Sequence, residues 1–516
     1  MITAHPLTFL TFLPLAAGVI ILLAPKPSAR YVALASSLVA LGLTIGLWIQ
    51  FDPAAPGMQF VEGPAPWIPA LGVHYHVAAD GLSLLLLLLS ALLVPMAILA
   101  SWRIEERVPL YFALVLFLEA GLFGTFTALN FFHWFIFWEL SLIPAFFLIK
   151  LWGGPLRSSA ATRFFVYTMA GSIAMLLSFL AIFLATGRFD FLDLADLGRE
   201  DNIIGALYRG PVWHNLNYRH LGLLIFSGAF LGLAVKVPLM PFHTWLPDAY
   251  AEAPTGTTML LTGAMSKMGV YGFLRILLPI FPQEMRWVAT PLLWLAVVTI
   301  VFSAAAAFAQ RDLKRVFAYS SINHLGYCLL GIFAVLRSGG IATSPLTEKA
   351  AALNGVFLQM FNHGLTAATV FWFVGMLEQR GHGLRGLDDF GGLRKVAPVL
   401  CGLMGIALFS SLGLPGLNGF IGEFLIFKGA FPLATWATAL SALGLLLTAV
   451  FILTLSQRVF HGPLNEKWSH LPDLTPAECV LVLPGIALMF VLGLHPQLIL
   501  GTINTTVWQM VQHFKF

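Results

Sequence analysis

The sequence predicts an all-α polytopic membrane protein of about fourteen transmembrane helices, two of them broken, with two inverted five-helix repeats. Three observations predict it. Only 10% of the 516 residues are charged and 59% are hydrophobic, whereas soluble domains carry about 25% charged residues. Apolar runs of roughly eighteen residues or more, enough to cross a bilayer core, recur down the whole chain. Two runs are interrupted by proline and glycine, and six runs each carry a titratable side chain far from either end.

Taken in order, the spans lie near 7–24, 31–49, 80–101, 108–128, 130–150, 160–185, 220–253 (broken), 256–280, 288–309, 315–336, 350–378, 396–433 (broken), 436–459 and 477–498. The first follows MITAHP, which has neither a basic leader region nor a small-residue cleavage site, and reads as a retained helix. Spans four and five abut at Ala128–Asn130, which demands a tight antiparallel hairpin. Residues 1–107 form an N-terminal group of three helices, 108–280 and 288–460 the two repeats, and 461–516 the last span. Because each repeat has an odd number of crossings, the two face opposite ways across the membrane. Two proline- and glycine-rich helices at matching positions can arise by chance, but they are also the sequence pointer to a transport site built from inverted repeats.

Orientation follows from lysine and arginine in the loops. With the N-terminus outside, the cytoplasmic loops hold twice as many of these residues as the outer ones, Arg163, Arg311, Lys314, Arg315, Arg380 and Arg385 among them. The outer set includes Arg188, Arg199, Arg209, Arg219 and Lys515. Both termini are therefore expected outside, in the periplasm or its equivalent. Segment 50–79, with two acids and no lysine or arginine, fits an outer position. Loop 186–219 is the longest polar insertion and has no role assigned from sequence. The net charge of +4 says nothing about nucleic acid in such a composition, and no nucleic-acid partner is expected. Cys328, Cys401 and Cys479 are scattered without a CxxC or a Cys/His cluster, so they read as packing residues rather than disulfides or metal ligands.

The chemistry sits in the breaks and the buried charges. In LGLLIFSGAFLGLAVKVPLMPFHTWLPDAYAEAPT, Lys236 ends an apolar helix and is followed by Pro238 and Pro241, which cannot donate backbone hydrogen bonds. A lysine at that depth is costly and marks a functional site, although a snorkelling lysine is the plainer reading. The second broken segment, VAPVLCGLMGIALFSSLGLPGLNGFIGEFLIFKGAFPL, carries Glu423. Between them lie Glu139 in FIFWELSLI, Lys267 in GAMSKMGVY, His324 in SSINHLGY and His363 in QMFNHGLT, each on a different helix. Two histidines without a third ligand are a weak metal signal, and either can simply satisfy a helix-packing hydrogen bond. Together, the six resemble a proton relay. With an effective dielectric near 20, charges ~10 Å apart interact by ~1.7 kcal/mol, a bit over one pKa unit, so one group can retune its neighbour. Carbonyls freed by the prolines could hold water between them.

The stretches FWELSLIPAFFLIKLWGG, AVKVPLMPFHTWLPDAYAEAPT, SKMGVYGFLR, FAYSSINHLGY, FNHGLTAA and GLPGLNGFIGEFLIFKG resemble the antiporter-like subunits of proton-pumping NADH:quinone oxidoreductase, or complex I. These are also similar to subunits of multisubunit cation/proton antiporters. The resemblance covers roughly residues 80–460. Among the large antiporter-like chains the M-type has glutamate in the second broken helix, where L- and N-types have lysine, and Glu423 matches it. The long C-terminal lateral helix of the L-type is not expected. The resemblance implies that Glu139 and Lys236 form the modulating ion pair, Lys267, His324 and His363 the central relay, and Glu423 the terminal proton site. Arg163, in ATRFFVYT, stands where lysine is frequent, and Glu119 is a weaker candidate for an inlet.

The implied function is proton translocation in the membrane arm, beside L- and N-type chains and small membrane subunits. NADH, FMN, iron–sulfur clusters and quinone are expected on partner subunits and no cofactor or metal on this chain, because it has no GxGxxG after a strand, no P-loop and no cluster-binding cysteines. It should be inactive alone as a dehydrogenase. An unsplit chain without a transit peptide points to a bacterial plasma membrane. The rivals are a subunit of a sodium/proton antiporter or membrane-bound hydrogenase complex and, from another class, a scaffold whose buried charges serve assembly.

Overall fold

Several helices of this protein start on a side chain that accepts from the first free N–H groups, at Asp80, Asn130, Asp190, Asn217, Asp312 and Thr475, and two end on a left-handed glycine, Gly187 and Gly413. The computed structural model describes residues 4–23, 25–200, 202–208, 217–338 and 346–513; Arg209 and Lys515, counted above among the outer charges, lie outside them. The chain runs α1 (Pro6–Leu23), α2 (Lys26–Gln50), the hairpin β1 (Gln59–Ile68) and β2 (Val73–Ala79), then α3 (Gly81–Ala100), α4 (Val108–Thr127), α5 (Phe131–Trp152) and α6 (Arg157–Thr186). Two short helices follow, α7 (Phe191–Arg199) and α8 (Asn202–Tyr208). The first broken segment is α9 (Tyr218–Lys236) with α10 (Leu246–Glu252). Next come α11 (Thr255–Leu260), α12 (Lys267–Gly272) and α13 (Leu278–Ile280), joined into one rod by π-helical turns at Leu261–Met265 and Phe273–Leu277. Then α14 (Pro282–Ala309), α15 (Leu313–Arg337) and α16 (Leu346–Arg380) precede the second broken segment, α17 (Pro398–Leu412) with α18 (Asn418–Leu433). The chain ends with α19 (Thr435–Phe460), α20 (Pro476–Leu494) and α21 (Gln497–His513).

Twelve of these helices are long and apolar enough to cross a membrane. The rod from Thr255 and the segment from Pro398 fall outside that group because π turns and a break divide them. The layers follow from which faces are apolar. Helices α3, α4, α15 and α16 are buried almost all round and form the core, whereas α1, α2, α6, α19 and α20 each bury only one side. The large apolar side chains on their outer faces, such as Leu184 and Trp436, suit lipid or neighbouring chains.

Three details depart from the sequence reading. Segment 50–79 is not featureless, because β1 and β2 pair antiparallel from Gln59↔Ala79 to Ile68↔Val73, so the protein is not strictly all-α. Gly63 makes the bulge possible: its φ is +96°, and a side chain there would run into the Tyr75 carbonyl. Within loop 186–219 the described residues include α7 and α8, and Asp190 both caps α7 and pairs with His76 of β2 at 2.6 Å. The last span stops at Leu494, and Pro496 starts a separate helix, α21, whose Thr506 hydroxyl accepts from the Gly81 N–H. An amphipathic C-terminal helix does not stand out in a search for long apolar runs.

The hairpin at Ala128–Asn130 is as short as expected. The Leu129 N–H donates to the His76 carbonyl and the Phe131 N–H to the Phe189 carbonyl, so β2 and the segment before α7 clamp the turn. On the opposite side, the loop charges meet one another. Arg163 and Arg315 both pair with Asp248. Arg385 reaches Glu252 at 3.0 Å, Asp312 at 2.6 Å and Glu378 at 3.3 Å, while Lys314 holds Glu378 at 2.7 Å. These arginines and lysines, assigned together to one side from sequence, do converge in space.

Candidate functional site

The break after α9 exists because Pro238 has no N–H and ends the ladder one residue beyond Val237. Two of the freed carbonyls find protein donors. The Leu239 N–H reaches Ala234 and the Trp245 indole reaches Val235 at 3.0 Å, which leaves fewer open acceptors for water than the prolines alone suggest. Lys236, 2% exposed, closes α9. Its Nζ donates to the Ser141 hydroxyl at 3.4 Å and lies 4.8 Å from the centroid of the Trp138 ring. That ring is itself held by Trp138 Nε1 donating to Ser172 at 2.9 Å. Glu139, two residues before Ser141 on α5, is half-buried, and among the described residues neither carboxylate oxygen has a hydrogen-bond partner. Glu139 and Lys236 lie within electrostatic reach of each other, but they make no direct ion pair in this state.

The other four residues are brought into direct contact. The π turn at Leu261–Met265 shifts the hydrogen-bond ladder by one residue and places Lys267 so that its Nζ donates back to the Thr262 carbonyl. The same Nζ meets His363 Nδ1 at 2.8 Å and Ser266 Oγ at 3.4 Å. The His363 ring lies 5.1 Å, centroid to centroid, from His324. His324 Nδ1 shares a hydrogen bond of 2.8 Å with Glu423 Oε1, and its Nε2 meets Ser411 at 3.2 Å. Lysine, two imidazoles and a carboxylate from α12, α16, α15 and α18 therefore form one buried line, each no more than 6% exposed. Among the described residues no hydrogen bond joins this line to the Glu139–Lys236 pair, so the six groups form a pair and a quartet rather than one continuous row.

The second break is closed by polar side chains. Gly413, with φ +82°, ends α17, and the Leu414 N–H returns to Phe409. Asn418 then accepts from Ser410 at 2.6 Å, and Asn362 Nδ2 donates to the Asn418 carbonyl at 2.7 Å. Glu423 sits one turn further along α18. Beside it, Gln359 Nε2 donates to Glu423 Oε1 at 3.2 Å. The sequence reading passed over Gln359, Thr262 and Ser411. The available signal for Gln359 was its position four residues before His363 in an otherwise apolar helix.

Glu119 is fully buried on α4, and its carboxylate has no hydrogen-bond partner among the described residues. Arg163 lies on the rim, paired with Asp248 rather than with the buried groups. A cavity of about 570 Å³ on that same charged side is lined by Ser101, Arg103, Thr255 and Glu378. Among the described residues no three His, Cys, Asp or Glu side chains gather as metal ligands.

Fold and site together define a polytopic membrane subunit with titratable groups strung through its core. A family model described as NADH:quinone oxidoreductase/Mrp antiporter, transmembrane, matches residues 128–450. NADH-quinone oxidoreductase subunit M of Rhodobacter capsulatus is 36% identical over 98% of this chain and 96% of its own length. A chain of respiratory complex I from Thermus thermophilus superposes with a TM-score of 0.83 at 28% identity, covering 98% of this chain and 99% of that one. A chain of the Mrp complex from Dietzia sp. DQ12-45-1b shares the fold, with a TM-score of 0.83 at 20% identity over the full length of both. The chain belongs to the NADH:quinone oxidoreductase/Mrp antiporter family of membrane subunits, and within it to the M-type subunits of NADH-quinone oxidoreductase.

Proposed function

We propose that this chain moves protons across the membrane as the M-type subunit in the membrane arm of an NADH:quinone oxidoreductase. The observation that carries the reading is the buried line Lys267–His363–His324–Glu423, whose hydrogen bonds of 2.8 Å at either end flank two adjacent imidazoles tilted by 37° to each other. Like charges this close exclude one another, so the line holds one mobile proton rather than several. A proton on Lys267 passes along Nζ–H···Nδ1 to His363, crosses to His324 by ring rotation or through one water, and reaches Glu423 Oε1 from Nδ1. Lys236, standing over Trp138, is the gate that Glu139 biases: approach of the carboxylate holds the ammonium, and withdrawal releases its proton toward Lys267. Glu139, Lys236, Lys267, His324, His363 and Glu423 are thus the functional residues. The two breaks are the equivalent points of inverted repeats over 108–280 and 288–460, and the cavity at Ser101 and Thr255 is the cytoplasmic approach to the rod that carries Lys267.

The redox cofactors and quinone belong to partner subunits, and L- and N-type chains with small membrane subunits flank this one. The clustering of Arg163, Arg315 and Arg385 on one side supports both termini facing away from the cytoplasm of a bacterial plasma membrane. Lys236→Ala and Glu139→Ala test the reading in the intact complex reconstituted in vesicles. Proton uptake should fall to background while the complex still assembles and oxidises NADH with a soluble acceptor. Loss of assembly with transport per complex unchanged would instead favour a scaffold. Purification without NADH-oxidising and iron–sulfur subunits would favour the antiporter.

A further inference from the structure

We infer that Gln359 is a positioning residue of proton transfer, fixing the Glu423 carboxylate so that one oxygen faces the relay and the other faces the break between α17 and α18. The inference rests on the functional reading above. Gln359 lies on α16 one turn from His363, is 2% exposed, and donates from Nε2 to Glu423 Oε1 at 3.2 Å. His324 Nδ1 meets the same oxygen at 2.8 Å, and the amide nitrogen and the imidazole nitrogen are 3.5 Å apart. One carboxylate oxygen is therefore claimed twice from the inside. The other, Oε2, lies against Gly413, where a Cβ would come within 3.0 Å. Gly413 is the left-handed residue that ends α17, so this oxygen points at the interruption in the helix.

While Glu423 is ionised the amide has one workable orientation. Its own Oε1 is buried without a partner and lies against Gly422, where an added Cβ would stand 2.6 Å away. Turning the amide over would set that oxygen against the carboxylate, two acceptors with no proton between them. Gln359 cannot ionise, so it orients the ionised Glu423 carboxylate without competing for the proton. His324 delivers its proton to Oε1 of the ionised carboxylate; the protonated Oε1 is a weaker acceptor for the Gln359 amide, and the carboxyl then turns to release that same proton toward residues 413–417. The hydrogen bond from Gln359 holds the ionised carboxylate with Oε1 toward His324 until the proton has arrived.

Gln359→Met keeps the length and removes the donor; Gln359→Glu keeps the shape and makes the donor titratable. The other groups around Glu423 are His324, Tyr327 and Cys328 of α15, His363 of α16, Lys267 of α12 and Ser411 of α17, all unchanged in both variants. In the intact complex in vesicles, Gln359→Met should lower proton translocation about tenfold, the scale of one lost hydrogen bond to a charged group. Gln359→Glu should approach native transport at acid pH, where the carboxylic acid donates as the amide does. It should lose transport as pH rises, because the ionised side chain repels Glu423. Native transport in Gln359→Met, or a native pH profile in Gln359→Glu, overturns the inference. If Gln359→Met does not assemble, the pH profile of Gln359→Glu decides. Glu423→Ala separates the two levels: native transport in that variant defeats the functional reading itself, whereas loss there with native transport in Gln359→Met defeats only the role of Gln359.

Discussion

A lysine in an apolar helix keeps its charge only if something nearby replaces water, and the two buried lysines solve this differently. Lys267 has a carbonyl, a hydroxyl and an imidazole nitrogen within reach. Lys236 has one long contact to a hydroxyl and the face of Trp138. A desolvated cation–π contact contributes ~2 kcal/mol, so Trp138→Leu should weaken the hold on protonated Lys236 more than Ser141→Ala does. Because each 1.4 kcal/mol is tenfold, proton transport by the intact Trp138→Leu complex should slow by roughly an order of magnitude. Equal transport in Trp138→Leu and Ser141→Ala would show that the ring does not matter. None of these neighbours was readable as such, although the six titratable residues were. A charge inside a hydrophobic run is visible in one dimension; which ring lies under it depends on how two helices cross.

At the scale of elements, the quartet exists because α16 and α18 pack closely along their length. Small residues allow it. A Cβ on Gly355 would stand 2.5 Å from the Ile426 N, and one on Gly429 would stand 2.3 Å from the Ala352 N. Membrane helices that approach this closely gain van der Waals contact in place of a hydrophobic driving force. Gly429→Ala should therefore push α18 away from α16 and cost about 1–3 kcal/mol, as overpacking does elsewhere. The measurable result is a lower melting temperature of the purified complex, with transport reduced further as Glu423 separates from Gln359. An unchanged melting temperature would show that the two helices have room to spare. Both broken helices were legible from LMP and LPGLNG, since proline and glycine act on their own backbone. The π turn before Lys267 was not, because nothing in TGAMSK forbids an ordinary helix.

Across the whole molecule, the acids of WLPDAYAEAPT serve as anchors rather than as relay members. Asp248 gathers Arg163 of α6 and Arg315 of α15, and Glu252 gathers Arg385 from the loop after α16 and accepts from the Leu156 N–H. This ties α10, the far half of the first broken helix, to α6, α15 and the loop after α16 at one end of the bundle. On the other side the β hairpin, α7 and α21 form the matching seam through His76–Asp190 and Gly81–Thr506. Arg385→Gln should leave Glu252 and Asp312 without their shared partner and destabilise the fold by ~2–4 kcal/mol, toward the lower end for breaking a buried pair. The expected signature is less assembled complex in membranes but near-native transport per assembled complex. Normal assembly would show that the remaining pairs suffice.

Composition and hydropathy by themselves determined that the chain crosses a membrane many times, where its helices break and that Lys236, Lys267, His324, His363 and Glu423 are buried. Each of these follows from a residue's own cost in hydrocarbon or its own backbone geometry. Only tertiary structure decided that Lys267, His363, His324 and Glu423 touch while Glu139 and Lys236 stand apart, that Gln359 joins them, and that the outer loops fold into a hairpin and short helices. Those outcomes depend on the distance between side chains far apart in the chain, and helix crossing and rotation set that distance.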